Sequence, residues 1–347
     1  MDSVASRLRC GMAGEAVNVS QITRLASYNA NAIKKAGTLA PFVTAAELTA
    51  WADEGNRKLE FKLRQVNANY FQKTMQSTSA TAVVYEGVSY TPSTSLPLAV
   101  GANTLTLPPD FQELRYIKVI TSGYENVVLD RMDHTDATFQ QLLKDTTNRG
   151  AGTAMLWDIY GARTFVWTPR LSTALDIEIG YIARQKRLAT YSTGTIAVTD
   201  ATDDVVGTST SWLVAARYFD TSQLDIMFGS SGSATLPVPE PTWVYDGASL
   251  NKVSSITDAT NLVLTADKIG TLAAGTGYIL ASVPTVPDEY HYFIADYVTM
   301  KVLAKAGDPQ MARAIATWPD NIADMLTTAG RRQSGDVETV EDWDPDA

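Results

Sequence analysis

Asp288-Glu-Tyr-His-Tyr-Phe-Ile-Ala-Asp-Tyr-Val-Thr-Met-Lys-Val-Leu-Ala-Lys-Ala-Gly-Asp-Pro-Gln-Met-Ala-Arg-Ala-Ile-Ala316 is the stretch of sequence around which the rest of the chain is organised. Asp288 follows a proline and can cap a helix, and apolar residues then recur at helical spacing through Leu303. Gly307 suits a C-terminal cap, and Asp308-Pro309 supplies the cap and the first-turn proline of a second helix. The stretch therefore predicts a helical hairpin against which the upstream chain packs.

Two upstream segments extend the helical part. Thr44-Ala-Ala-Glu47 is a capping box, in which the threonine hydroxyl and the glutamate carboxylate satisfy each other's backbone amides. The helix that follows carries an apolar stripe, interrupted by Gly55 and made up of Leu48, Trp51, Leu59, Leu63 and Val66. A further helix is predicted from Ser20 to Lys35. The charged residues on the other faces suit solvent or, in a ring-forming protein, a subunit contact.

Residues 77–188 have the character of β-structure. Leu107-Pro-Pro-Asp-Phe111 predicts a rigid corner, because paired prolines fix the backbone and Phe111 can enter the core. The stretch from Ala174 to Ile182 predicts a half-buried antiparallel strand, since apolar residues alternate with Asp176 and Glu178. These segments form the β part of the main domain.

Composition shifts over residues 190–283, where Thr, Ser, Gly, Ala and Asp dominate and strand-sized apolar runs alternate with turn residues. We predict an α+β fold with a helical core and an antiparallel β-sheet, plus an inserted all-β barrel or sandwich domain. The predicted boundaries are 1–189 with 284–330 for the core, 190–283 for the insertion, and 331–347 for a flexible acidic C-terminal tail.

The net charge of −10 and the pI of about 4.8 bear on the partners of the protein. Non-specific binding of nucleic acid requires stripes of cationic residues, and the sequence lacks them. An acidic surface can nevertheless line a channel through which DNA passes. No window reaches the roughly 20 apolar residues of a membrane span, and the first ten residues do not resemble a signal peptide. Cys10 is the single cysteine and is expected to be a passive thiol in a chain made in the cytoplasm.

The sequence offers no distinct catalytic constellation, so we expect no enzymatic activity, cofactor or metal. His134 lies between Asp133 and Asp136, which can orient its ring, but a zinc site needs further nitrogen or sulfur ligands. His291 is expected to be exposed or interfacial. The aspartates of Asp200-Ala-Thr-Asp-Asp204 fit turn chemistry better than a calcium loop. With 38 acidic residues, a carboxylate pair for glycoside cleavage stays open as a minor alternative.

The order of the motifs resembles that of the head–tail adaptor (connector) proteins of tailed bacteriophages, especially those of short-tailed phages. The resemblance covers residues 44–188 and 285–330. Five motifs carry it in order: the capped helix from Glu47, the corner Leu107–Phe111, the stretch Leu156–Pro169, a strand ending in Tyr181-Ile182, and the Tyr-rich helix that ends in Lys305-Ala-Gly-Asp308. Residues 190–283 depart from the simpler members of that family and look like β-modules that decorate phage tail proteins.

The resemblance implies a structural virion protein with a helical connector core, located at the head–tail interface after assembly in the host cytoplasm. It implies a homo-oligomeric ring, expected to be a dodecamer, that contacts the portal protein and the tail nozzle, stopper or fibre proteins. Such a ring surrounds the exit channel and passes double-stranded DNA without specific binding during genome ejection. The candidate partner-binding residues are Arg331, Arg332, Trp343 and Asp344, because aromatic and charged residues of the last segment suit an interface anchor.

An alternative is a tail-associated β-protein that binds carbohydrate or a host receptor and is anchored by its helices. In that case Trp212, Trp243 and Tyr245 would be exposed for stacking on sugar rings. The two hypotheses differ in the expected state of these aromatic side chains and in whether the chain assembles.

Overall fold

The protein forms two compact units, of which unit 1 comprises 1–70, 188–212 and 221–347, and unit 2 comprises 71–187 and 213–220. The computed structural model describes residues 18–30, 42–66, 71–85, 88–147, 155–213, 224–236, 250–268, 270–287 and 290–334. Unit 1 contains the helical segments 19–66 and 291–334 together with most of the β-rich stretch 190–283, whereas residues 213–220 of that stretch fall in unit 2.

The helices are α1 (Val19–Asn29), α2 (Ala45–Val66), α3 (Pro92–Ser95), α4 (Ala137–Lys144), α5 (His291–Ala306) and α6 (Met311–Ser334). The first strands in chain order are β1 (Gln72–Gln76), β2 (Val83–Tyr85), β3 (Val88–Tyr90), β4 (Thr104–Thr106), β5 (Phe111–Val119), β6 (Leu129–Arg131), β7 (Met155–Tyr160), β8 (Thr164–Thr168) and β9 (Ile177–Ala183). The remaining strands are β10 (Thr190–Tyr191), β11 (Thr195–Val198), β12 (Thr202–Thr208), β13 (Leu224–Phe228), β14 (Leu250–Ile256), β15 (Asn261–Lys268), β16 (Leu272–Thr276) and β17 (Tyr278–Ser282).

The predicted fold class is wrong, because the described chain is mostly β-structure and has no helical connector core. Unit 1 contains an eight-stranded sheet in the order β10-β17-β13-β14-β15-β12-β11-β16, with antiparallel pairing throughout. Unit 2 contains a three-stranded sheet (β1-β9-β5), a four-stranded sheet (β4-β8-β7-β6) and the hairpin β2-β3. Many of these strands are three to five residues long, too short for a strong alternating pattern, whereas the long capped helices stand out in the sequence.

The predicted helical hairpin is confirmed as α5 and α6. Gly307 ends α5 in the left-handed conformation at φ 65°, and its amide donates to the carbonyls of Leu303 and Ala304. Asp308 accepts the amide of Gln310 at 2.8 Å and so initiates the turn into α6. Helix α6 runs to Ser334, four residues past the predicted end of the core at residue 330. The predicted cap Asp288 lies outside the described residues, and Tyr290 is the residue that precedes α5.

The predicted capping box at the start of α2 is also confirmed. The Thr44 amide donates to Glu47 Oε2 at 3.0 Å, and the Glu47 amide donates to Thr44 Oγ1 at 3.2 Å. Glu47 in addition accepts Lys305 Nζ at 2.5 Å, which joins the first turn of α2 to the last turn of α5. The hydrogen bond from Lys305 and those from Thr44 hold the pKa of Glu47 at about 2.

Gly55 has a packing role that its position in the middle of a helix does not reveal. A Cβ atom at Gly55 would lie 2.8 Å from Cδ1 of Tyr297, closer than carbon atoms pack. The absence of a side chain therefore lets α2 and α5 approach closely enough to seat the Tyr297 ring, which is 1% exposed. Glycine is unfavourable inside a helix, and this packing contact offsets that cost.

We predict that Gly55→Val destabilises the protein by about 1–3 kcal/mol, because the new side chain collides with the Tyr297 ring. Urea denaturation followed by circular dichroism measures the change. Ala50→Val is the control, since Ala50 is exposed on the same helix and the substitution should cost only a few tenths of a kcal/mol in helix propensity. Equal stability of the two variants would show that the close approach is not needed.

Unit 2 is built around the predicted corner at Leu107–Phe111. The Phe111 amide donates to the Pro108 carbonyl at 3.0 Å, and the Phe111 side chain is buried, as predicted. Asp110 is 2% exposed and accepts the Tyr181 hydroxyl at 2.9 Å and Lys73 Nζ at 3.2 Å, which satisfies its buried carboxylate. The predicted antiparallel strand is confirmed as β9, but it is not half-buried: Ile177, Ile179 and Tyr181 are fully buried on one face and Ile182 is 1% exposed on the other.

A buried carboxylate anchors α1 in unit 1. Asn18 precedes α1 and forms a reciprocal box with Gln21, since each side chain accepts the other residue's amide at 3.1 Å. The amide group of Asn18 also lies 3.5 Å from Oδ2 of Asp225 on β13. Asp225 is 5% exposed, and burial raises its pKa to about 6 against the hydrogen bond from Asn18 and the attraction of Lys252.

We predict that the contribution of Asp225 to stability falls as the pH rises from about 4 to about 6, because the unfolded state ionises Asp225 at its ordinary pKa while the folded state resists ionisation. Asp225→Asn removes the charge, so it should add roughly 1–3 kcal/mol at pH 7.5 and almost nothing at pH 4. Thermal unfolding at both values checks this, with the exposed Asp204→Asn as the control. A gain that is the same at both values would contradict the prediction.

Candidate functional site

A polar cluster joins α2 to α5 in unit 1. The Tyr297 hydroxyl donates to Glu54 Oε1 at 2.5 Å and accepts Lys58 Nζ at 2.7 Å. Lys301 Nζ lies 3.1 Å from Glu54 Oε2, and both lysine ammonium groups also lie over the Tyr297 ring, at 4.7 and 5.3 Å from its centroid. The cluster therefore contains one carboxylate, one hydroxyl and two cations that satisfy each other.

The electrostatics of this cluster favour its ionised form. Partial burial opposes the charge on Glu54, but hydrogen bonds from Tyr297, Lys301 and Lys58 outweigh it and lower the pKa of Glu54 to about 2. The pKa of Lys58 is raised, chiefly by its hydrogen bond to Tyr297. Because Tyr297 is almost fully buried, its hydroxyl cannot reach a substrate, and the cluster acts as a clamp between two helices.

A second polar cluster surrounds Asp158 in unit 2. His134 Nδ1 lies 2.7 Å from Asp158 Oδ2, and the His134 amide donates to the same oxygen at 2.9 Å. Arg131 Nε donates to Asp158 Oδ1 at 3.2 Å. Burial opposes ionisation, but the bonds from His134 and Arg131 dominate and lower the pKa of Asp158 to about 2. Asp158 thus fixes the turn that leads into α4.

The neighbours predicted to orient His134 have other roles. Asp136 caps α4 by accepting the amides of Thr138 and Phe139, and Asp133 accepts the amide and hydroxyl of Thr135. Asp158, which comes from β7, is the residue that holds the imidazole. The sequence did not indicate Asp158, because it lies 24 residues after His134. Only the pairing of β6 with β7 brings the two side chains together.

Asp133, His134 and Asp158 are near enough to hold a metal ion together, with their ligand atoms within 4.8 Å of one another. However, each oxygen of Asp158 already accepts a hydrogen bond, one from Arg131 and one from His134. A cation would also have to share Asp158 with the positive charge of Arg131. The group therefore fits a structural ion-pair network better than a metal centre.

A cavity of about 250 Å³ lies in unit 1 beside the helices α1 and α2 and the strands β10 and β17. Its lining combines apolar side chains with several hydroxyl groups and the side chain of Arg24. The lining residues are Ser20, Thr23, Arg24, Ser27, Ala45, Leu48, Thr49, Thr190, Ser192, Leu236 and Ile279. Leu48 of the predicted apolar stripe lines this cavity, but within the part of the chain that the structure describes none of the partner-binding residues predicted from the sequence does so.

One side of α2 is exposed and carries positive charge around an aromatic ring. Its residues recur at helical spacing, and we call them the cationic face of α2: Arg57, Lys58, Phe61, Lys62 and Gln65. Phe61 is 61% exposed, the highest value among the exposed large apolar side chains of the described residues. The sequence predicted that charged residues lie off the apolar stripe, but it did not distinguish Phe61 from the buried residues.

The predicted partner-binding residues fall at the end of the chain. Arg331 and Arg332 belong to the last turns of α6, so they lie in a helix and not in a flexible tail. Trp343 and Asp344 lie outside the described residues. Their roles stay predictions.

Trp212, which the alternative hypothesis would expose, and His291 are both buried. Trp212 is fully buried, and its indole N–H donates to the Tyr278 hydroxyl at 2.9 Å, so it is a core residue and cannot stack on a sugar. Trp243 and Tyr245 lie outside the described residues. His291 is 1% exposed, with Nε2 at 2.9 Å from the Val286 carbonyl oxygen, so the prediction of an exposed or interfacial histidine is wrong. Both side chains are buried because tertiary partners satisfy their polar atoms.

Compared with known proteins, the chain matches no family model, and no curated protein sequence matches it. In the described ranges, no helix combines the length and the apolar content that a bilayer crossing demands.

We predict that Tyr297→Phe destabilises the protein by about 1–3 kcal/mol at pH 7, because Glu54 and Lys58 lose their shared partner. The loss should shrink as the pH falls from about 4.5 towards 2, since the lowered pKa of Glu54 contributes stability only while its carboxylate is ionised. Denaturant titrations at pH 7 and pH 3 measure it. Tyr160→Phe, at a partly exposed tyrosine, is the control and should change little at either pH.

Proposed function

We propose that this protein is a structural virion protein that forms a ring adaptor between the portal and the tail of a bacteriophage, around the DNA exit channel. The role is assembly and not catalysis. The resemblance of the motif order to head–tail adaptors supports this proposal, although the helical core expected from that family is not found. The proposal therefore depends on the surfaces of unit 1 and on the charge of the chain.

The observation that carries the proposal is the exposure of large apolar side chains on two different helices of unit 1. Phe61 on α2 is 61% exposed, and Ile315 on α6 is 47% exposed. Burying a side chain of this size contributes about 1.5–3 kcal/mol relative to leaving it in water. A closed ring needs two different contact surfaces on each subunit, because its interfaces are heterologous.

The net charge of −10 supports the same proposal. A channel that passes DNA must not retain it, since every phosphate bound by a cation would slow the movement of the duplex. An acidic wall repels the duplex and leaves binding to the subunit and portal surfaces.

Native mass spectrometry of the purified protein, alone and with portal protein, tests this function. We expect a ring of twelve subunits, or a defined complex with the portal protein. Ile315→Glu should reduce assembly at least tenfold in midpoint concentration, because it places a charge in a packed contact. Ala323→Glu is the control, since it adds the same charge at another exposed position of α6. A persistent monomer that ignores portal would overturn the proposal.

A further inference from the structure

The cationic face of α2 has an uneven distribution of charge. The side chains of Arg57 and Lys58 are 51% and 50% exposed, whereas their carboxylate partners Asp53 and Glu54 are 18% and 40% exposed. Both partners are also held on the inner side, because Asp53 accepts the Leu188 amide at 2.9 Å and Glu54 accepts the Tyr297 hydroxyl. The Arg57 guanidinium is therefore more exposed than its partner Asp53, whereas the Lys58 ammonium is held by the Tyr297 hydroxyl and Glu54.

One segment of the same chain has the complementary chemistry. Residues 335–347 read Gly-Asp-Val-Glu-Thr-Val-Glu-Asp-Trp-Asp-Pro-Asp-Ala. They contain six carboxylates and no lysine or arginine, with the aromatic residue Trp343 between Asp342 and Asp344. An indole flanked by carboxylates matches an exposed phenyl ring flanked by cations, since aromatic pairing and cation–π contacts add to charge attraction.

We propose that the cationic face of α2 binds the acidic segment 335–347 of a second copy of this chain. Trp343 packs on Phe61, and the carboxylates on either side of it pair with Arg57 and Lys62. This inference rests on the proposed function, because it names the contact through which neighbouring subunits of the ring recognise each other. Such a contact is heterologous, since one subunit supplies the face and the next supplies the segment.

The helix directions favour a second copy over the same chain. Helices α2 and α6 both run antiparallel to α5, and Tyr297 contacts Gly55 of α2 and Trp318 of α6. Along this common direction Phe61 lies about 9 Å beyond Gly55, and Ser334 lies at most about 24 Å beyond Trp318, because Pro319 bends α6. Ser334, the last described residue, thus lies at most about 15 Å beyond Phe61 of the same subunit along this direction. A neighbouring subunit can meet the segment without a reversal of the chain.

The balance of forces gives the contact a measurable signature. Each ion pair at an exposed site contributes little and is screened by salt. The aromatic contact buries apolar surface and is insensitive to salt. Removal of Phe61 or Trp343 should therefore weaken binding at any ionic strength, whereas added salt should weaken it only in part.

Binding of a fluorescently labelled peptide of residues 335–347 to the chain that lacks these residues tests the contact by anisotropy. Phe61→Ser should weaken binding of the peptide at least tenfold. The peptide with Trp343→Ala should bind the unsubstituted protein at least tenfold more weakly, a result that does not depend on the folding of any protein variant. Raising NaCl from 50 to 500 mM should weaken binding several-fold. Phe42→Ser is the matched control, because Phe42 is 42% exposed outside the cationic face. Peptide binding that Phe61→Ser leaves unchanged, or no peptide binding, would overturn the proposal.

A mixing experiment decides between a second copy and the same chain. The chain without residues 335–347 keeps the face, and the full chain with Phe61→Ser keeps the segment. Native mass spectrometry of the mixture should show one-to-one pairs that neither protein forms by itself. Peptide binding without such pairs would place the segment on its own subunit and would overturn the contact between copies.

The two proposals fail in different ways. Rings that persist in both the shortened chain and Phe61→Ser would leave the adaptor function standing and overturn the contact. Peptide binding and one-to-one pairs, in a protein that neither closes a ring nor recognises portal, would support the contact and count against the adaptor function.

Discussion

The burial of α5 on several sides is the constraint on which unit 1 depends. Helices α1, α2 and α6 all pack against it, and its buried residues include Phe293, Ile294, Val298 and Val302. A helix that is apolar around most of its circumference is stable only when neighbours cover it. Tyr297 differs from these apolar residues because it is both packed and hydrogen-bonded. Its ring is buried against Gly55, while its hydroxyl bonds to Glu54 and Lys58. One residue therefore fixes both the distance and the register of two helices.

The same physical rule explains the charged residues of the interior. Asp110, Asp158 and Asp225 are nearly fully buried, and each has a polar partner from a distant part of the sequence. Asp110 and Asp158 have strong hydrogen bonds or cations beside them. Asp225 has a long hydrogen bond from Asn18 and the electrostatic attraction of Lys252. Burial outweighs both and raises the pKa of Asp225 to about 6. The strength of the partners therefore decides the direction in which the pKa moves for Asp158 and Asp225.

Fold class was where sequence and structure disagreed most. The strands of 190–283 were expected, and they are found between Thr190 and Ser282, but their order in the sheet does not follow the chain. Strand order depends on pairing between segments far apart, such as β12 with β15, and no local pattern encodes it. The resemblance to a family with a helical core favoured the prediction of a helical core, and the eight-stranded sheet contradicts that prediction. In unit 1 the helices and the sheet share one compact body.

The sequence by itself determined the local structure: the capping box Thr44–Glu47, the glycine cap of α5, the corner that carries Phe111, and the alternation of β9. Each depends on residues within a few positions of one another, where backbone geometry and hydrogen bonding are local. Only the tertiary structure decided that Asp158 holds His134, that Gly55 seats Tyr297, that Trp212 and His291 are buried, and that Phe61 is exposed amid cations. These facts depend on which distant segments meet. Spacing along a chain does not contain that information, because burial belongs to the packed structure and not to the residue.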